Sequence, residues 1–179
     1  MPHAITVLAD GFEEVEAVTY IDLLRRAGVD VTILGLDGIE VRGAHGLWVR
    51  AEMLFGDFDG EFDAVVLPGG GPGTNRLAAS KELRDLIQLA HAEGKLCAAI
   101  CAAPTVLALA GVLDSRKATC YPGCENRMAG ALPVEDAVVV DGNIITSRAV
   151  GTAIPFALEL VEALAGEEAA RDVCEAILY

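Results

Sequence analysis

Residues 4–36 read AITVLADGFEEVEAVTYIDLLRRAGVDVTILGL, and the apolar spacing changes twice within them. Ala4–Ala9 is a short apolar, β-branched run closed by Asp10-Gly11, the pattern of a buried strand and its exit turn. From Glu13 to Ala27 the residues Val15, Val18, Ile21, Leu23 and Leu24 recur at helical spacing. Arg25 and Arg26 fill the last turn, and Gly28 follows as a stop. Val29–Leu36 then reads as a second strand. Strand, helix and strand in so short a stretch make a βαβ unit, so the sheet is expected to be parallel.

The rest of the chain continues that alternation. Phe62–Leu67 reads as a strand ending in the glycine loop Pro68-Gly69-Gly70-Gly71-Pro72-Gly73. Ser80 caps a helix to about Glu93, Leu96–Ile100 is a further buried strand, and Ala103–Ala110 has the composition of a helix with Pro104 in its first turn. Val41–Val49 reads as an exposed, Gly-interrupted strand region. Beyond Gly111 come a short strand near Lys117–Cys120 and a loop from Tyr121 to about Asn126. Val138–Val140 and Ile144–Thr146 form a hairpin around Asp141-Gly142-Asn143. Helical patterns at Thr152–Leu164 and Glu167–Ile177 finish the chain. The expected architecture is a single α/β domain over residues 1–179, a three-layer helix–sheet–helix sandwich.

Bulk properties exclude several classes of function. The chain is 53% hydrophobic, yet no apolar run approaches the roughly 18 residues of a membrane span. Its opening MPHAITVLAD has no charged leader before the apolar stretch, so no signal peptide and a cytoplasmic location are expected. The net charge is −14, from 13 basic and 27 acidic residues, and the basic residues form no run. That balance argues against a nucleic acid partner and favours solubility. Five cysteines without small-scaffold spacing read as reduced thiols, not a disulfide framework.

The strongest chemical signal is Cys101, placed where the strand Leu96–Ile100 must turn into the helix that holds Pro104. Such an elbow projects a nucleophile from the carboxyl edge of the sheet, where open α/β sheets bind ligands. Ala102 and Ala103 are small enough to let the turn close and leave backbone amides accessible. Those amides and the helix dipole favour negative charge on sulfur, which leads to the expectation of a lowered thiol pKa. Gly69 and Gly70 follow a neighbouring strand, so their amides with that of Ala102 are candidates for an oxyanion-type site. Glu16 lies in the first turn of the first helix; turned toward the sheet edge and buried, it is a protonated carboxyl able to donate to a thiolate. Cys97 reads as core, and Cys174 as packing or surface. Cys120 and Cys124 are spaced to share a metal or a disulfide, but no suitable His or second Cys pair accompanies them.

His3, His45 and His91 all precede Cys101, which excludes a Cys-His hydrolase whose base lies downstream of its nucleophile. His91 reads as solvent-facing, while His45 sits on a loop within reach of a crevice or a dimer partner. Glu16 is therefore the better acid–base candidate.

Four segments in order resemble the ThiJ/PfpI superfamily, and within it the parkinsonism-associated deglycase branch. They are Gly11-Phe12-Glu13-Glu14-Val15-Glu16, Val65-Val66-Leu67-Pro68-Gly69-Gly70, Ala98-Ala99-Ile100-Cys101-Ala102-Ala103-Pro104 and Ile145-Thr146-Ser147-Arg148. Gly151-Thr152 and Phe156-Ala157-Leu158 extend the match. The resemblance implies a flavodoxin-like sheet and a homodimer. It matches Cys101 to the family's reactive, oxidisable cysteine, Glu16 to its protonated glutamate, and Gly70 and Ala102 to its pocket amides. It also matches Arg148 to an arginine near the dimer interface. Ala102 stands where the protease branch has histidine, which favours the deglycase branch. Tyr121 replaces a pocket histidine, His45 an arginine that contacts the oxidised thiol, and Ala149-Val150 a Gly-Pro pair.

The expected activity is that of a cysteine-dependent glyoxalase or deglycase acting on small aldehydes such as methylglyoxal and on early glycation adducts. It needs no metal, nicotinamide or flavin. The alternatives are a redox sensor or stress-response chaperone without turnover and, less favoured, a cysteine amidase or protease.

Overall fold

The computed structural model describes residues 1–179. In chain order its elements are β1 (His3–Leu8), α1 (Glu14–Arg26), β2 (Asp30–Gly35), β3 (Glu40–Arg42), β4 (Trp48–Arg50), β5 (Met53–Leu54) and β6 (Ala64–Leu67). Then come α2 (Gly71–Ala79), α3 (Lys81–Ala92), β7 (Leu96–Ile100), α4 (Pro104–Leu109), β8 (Lys117–Ala118), β9 (Leu132–Pro133), β10 (Val138–Asp141), β11 (Ile144–Ser147), α5 (Ala153–Ala165) and α6 (Glu167–Ala176). Seven strands form one sheet in the order β10-β11-β7-β6-β1-β2-β5. Every pairing in it is parallel except the β10–β11 hairpin at one edge. No helix is long and apolar enough to cross a membrane.

Alternation along the central strands divides the core in two. Ala4 and Leu8 of β1, with Ala98 and Ile100 of β7, pack with Tyr20, Leu24, Phe156 and Leu160 of α1 and α5. Ile5 and Val7, with Cys97 and Ala99, pack with Leu83, Ile87, Val106 and Leu107 of α3 and α4. A strand covered on both faces reads as a continuous apolar run, which is what β1, β6 and β7 show.

The structure corrects or refines three local readings. The glycine loop, read as Pro68–Gly73, is shorter: α2 begins at Gly71, and Pro72 is accommodated in its first turn. Val41–Val49 becomes the antiparallel pair β3–β4, outside the main sheet. His91 is half-buried, with its Nδ1 enclosed and unpartnered, because α3 packs it near Arg116.

Candidate active site

Parallel pairing brings the carboxyl ends of β1, β6 and β7 to one edge, with Leu67 opposite Ala99. The chain leaving β7 turns at once, and Cys101 adopts φ 66°, a left-handed conformation that costs an L-residue about 1–2 kcal/mol. Three bonds hold it there. Cys101 N–H donates to Ser147 O (3.0 Å) on β11, Tyr121 N–H donates to Cys101 O (2.7 Å), and Ala103 N–H donates to Ile100 O (3.1 Å). Sulfur is therefore presented at the sheet edge by backbone on both sides.

Glu16 reaches the same place because of helical spacing. Glu16, Tyr20 and Leu24 stand four residues apart on the buried face of α1, so the carboxylate occupies the position of the next apolar residue in the stripe. It is 1% exposed. Its Oε2 accepts from Gly69 N–H at 2.8 Å, while Oε1 is buried with no partner apart from the neighbouring thiol. Burial raises the Glu16 pKa to about 7, despite the opposing bonds from Gly69 and Cys101.

The glycine loop is shaped by what it touches. Gly70 has φ +90°, and an added Cβ would run into the backbone of Gly11, Phe12 and Glu13. Glu13 N–H donates to Gly69 O at 2.9 Å and closes that contact. The start of α1 is thus clamped onto the end of β6, which fixes Glu16 relative to Cys101.

The amides divide differently from the sequence reading. Gly70 and Ala102 N–H face the Cys101 sulfur, but Gly69 N–H is used on Glu16, so it holds the acid and not an oxyanion. The thiol is not lowered either. Burial, then the charge of Glu16 and its hydrogen bond, push Cys101 up to about 12 against the two amides. Both contributions from Glu16 reverse once it carries the proton: its charge disappears and its O–H can donate to sulfur. With Glu16 protonated, its O–H and the Gly70 and Ala102 amides all favour the thiolate.

Burial of Glu16 carries a stability cost with a definite sign. Between its ordinary value of 4.5 and about 7, the folded chain holds a proton that the unfolded chain has lost. Stability therefore falls as pH rises through that window. Glu16→Gln removes the cost, so the variant should melt above the wild type at pH 8, with a gain on the order of 2–3 kcal/mol. The gap should close by pH 4.5; thermal melts at both pH values check this, and a pH-independent difference would contradict it.

The remaining predicted residues lie around this centre. Tyr121 is half exposed and contributes its amide to the elbow. Arg148 follows Ser147, is partly buried, and donates from Nη1 to Glu135 O at 3.1 Å. The ring of His45 is turned to Glu14 (Nδ1–Oε2, 3.0 Å) and Glu13 (3.5 Å). Its bond to Glu14 raises its pKa. Glu14 was not singled out by sequence, since two acids in a first helical turn serve the dipole equally well. It is buried because it also accepts from His45 N–H (2.7 Å) and Leu47 N–H (3.3 Å), tying the β3–β4 turn to α1.

Residues 3–163 match the DJ-1/PfpI family. Protein dj-1beta of Drosophila melanogaster is 41% identical over 98% of this chain and 96% of its own. Its crystal structure superposes with a TM-score of 0.95, covering 99% of this chain and 97% of that one. The oxidised DJ-1 structure of Toxoplasma gondii, 36% identical, gives a TM-score of 0.95 and covers 100% and 99% of the two chains. A deglycase of Pyrococcus abyssi is 36% identical over 87% of this chain and 95% of its own. A flavodoxin-like sheet with its thiol at the elbow and near full-length identity to such relatives lead to one assignment: this chain belongs to the DJ-1/PfpI family.

Proposed function

We propose that the protein is a cysteine-dependent glyoxalase and deglycase, converting methylglyoxal to lactate and reversing early glycation adducts with its own residues alone. The observation that carries this reading is a buried carboxyl near neutrality beside a nucleophile on an elbow. The deglycase from Pyrococcus abyssi supports it.

The chemistry closes on the two residues. The Cys101 thiolate adds to the aldehyde carbon, and Glu16 gives its proton to the new alkoxide, forming a hemithioacetal. Glu16, now a carboxylate, removes the C–H proton of that carbon and returns it to the adjacent one through an enediol. The product is a lactoyl thioester. Water attacks it with its proton passing to Glu16, thiolate leaves, and lactate is released with the pair restored. The Gly70 and Ala102 amides stand where negative charge on sulfur must be stabilised. Lactate formation from methylglyoxal without glutathione tests the proposal, and its absence in the wild type would shift the reading to a redox sensor. That second reading is favoured by the oxidised state of the Toxoplasma relative and by the partial exposure of Cys101.

We place the protein in the cytoplasm, where its five free thiols remain reduced, and propose that it works as a homodimer. Val15 and Val18, expected on the apolar stripe of α1, are instead about half exposed. With Leu47, Ile154 and Ile177 they line a groove of about 470 Å³, and the exposed Trp48 lies next to Leu47 in the chain. Apolar surface of this kind marks an association site. Sedimentation should give twice the 18.7 kDa chain mass, and Val18→Asp should halve it. A monomeric wild type would overturn the dimer.

A further inference from the structure

We propose that Cys120 and Cys124 form a second thiol site, a redox-active pair that closes a disulfide across Tyr121-Pro122-Gly123 when met by a hydroperoxide. The sequence shows two cysteines without metal partners; the structure brings them together. Cys124 N–H donates to Tyr121 O at 3.0 Å, and Gly123 adopts φ +93°, so the chain reverses between the two cysteines. Such a turn keeps the Cα atoms of Tyr121 and Cys124 within about 7 Å and so folds Cys124 back toward Cys120, the residue just before the turn; a disulfide needs Cα atoms about 4.4–6.8 Å apart. Both side chains enter the same apolar cluster: Cys120 belongs to it at 2% exposure, and the partly buried Cys124 packs against it. The Cys124 amide faces the Cys120 sulfur, and the Cys124 thiol is close enough to bear on the ionisation of Cys120. Both are free.

The environment assigns the order of events. Cys124 is the more exposed of the two and meets the oxidant first. Its sulfur takes one peroxide oxygen as the O–O bond breaks, giving a sulfenic acid and releasing the alcohol, or water from hydrogen peroxide. The Cys120 sulfur then displaces the sulfenic oxygen; the S–S bond forms and water leaves with the thiol proton. The hydroperoxide is reduced by two electrons and the two thiols are oxidised by two. Burial, followed by the charges of Glu125 and Cys124, holds Cys120 up at about 11, so it waits as a thiol, while Arg148 and the Cys124 amide favour its anion in the second step. The pair adjoins the proposed active site, since Tyr121, between the two cysteines, donates to Cys101 O. Its chemistry does not depend on aldehyde turnover.

Trypsin cleaves after Lys117 and Arg127, so both cysteines travel in the single peptide 118–127. The folded Cys101→Ser protein, treated with equimolar hydrogen peroxide, removes the competing thiol from the measurement. The peptide should then weigh two hydrogens less, both cysteines should refuse iodoacetamide, and dithiothreitol should reverse both changes. Wild-type protein should give the same link, and Cys124→Ser should leave Cys120 free to alkylate. Full alkylation of both cysteines while Cys97 or Cys174 is oxidised would overturn the proposal. So would oxygen on Cys124 without a link, or a link from Cys120 to Cys101 in the wild type.

Discussion

Replacing Cys101 by serine is expected to abolish lactate formation from methylglyoxal, and Glu16→Gln to reduce it by about 10²–10⁴-fold, the range for losing a positioned acid–base group. The two losses have different origins. Serine keeps the elbow but supplies an alcohol too weakly acidic and nucleophilic to form the hemithioacetal. Glutamine keeps the shape of Glu16 and leaves Gly69 N–H an acceptor, but it cannot carry a proton from one carbon to the next. Glu16→Gln should therefore retain a Cys101 that alkylates, and it should lose the limb near pH 7 from the kcat profile, since that limb belongs to the carboxyl raised to about 7. Steady-state turnover and iodoacetamide labelling on the same preparations separate the cases. Activity within a factor of a few of wild type in either variant would remove the residue from the mechanism.

Gly69→Ala should be nearly as damaging without touching a reacting group. Its added methyl would lie 2.5 Å from Cys101 Cβ, 2.7 Å from Glu16 Oε2 and 3.0 Å from Cys101 Sγ. Carbon atoms at rest keep about 3.5–4.0 Å apart, so the acid and the nucleophile must be driven from one another. Overpacking of this kind costs about 1–3 kcal/mol, which in a chain of this size lowers Tm by several degrees. A displacement of about 1 Å at reacting atoms costs about 10² in rate, and that is the expected loss of turnover. Gly71→Ala is the matched control, because a methyl there meets nothing within 4 Å. Equal activity in the two variants would show that the contact between β6, Glu16 and Cys101 is not what sets the rate.

The sequence carried the layers and the elbow because both depend on local pattern. Apolar runs at β1, β6 and β7, helical spacing in α1 and α3, and Pro104 after a small-residue turn each declare themselves within a few residues. Glu16 stood out from its place in the first turn of α1, but the face that buries it, shared with Tyr20 and Leu24, shows only in the structure. What could not be read depends on contacts far apart in the chain. Assignment of the Gly69 amide to Glu16 spans 53 residues, and the ties from Glu14 to His45 and Leu47 span 31 and 33. The thiol pKa was misjudged for the same reason. An amide-rich turn pulls it down, but desolvation by elements from both sides of the chain, with an acid from the opposite end, outweighs that pull.

Strand order also has a bearing on how this chain is made. β7 lies between β6 and β11, and β11 begins at Ile144, well after β7 has been synthesised. A nascent chain emerging from the ribosome thus exposes Leu96-Cys97-Ala98-Ala99-Ile100 as an open, uncharged edge, and Cys101 N–H has no Ser147 to bond. Unpaired apolar edges recruit other strands. Premature stop codons before Ile144 would release chains that are both sticky and thiol-bearing, which makes completion of the hairpin the point at which synthesis becomes safe.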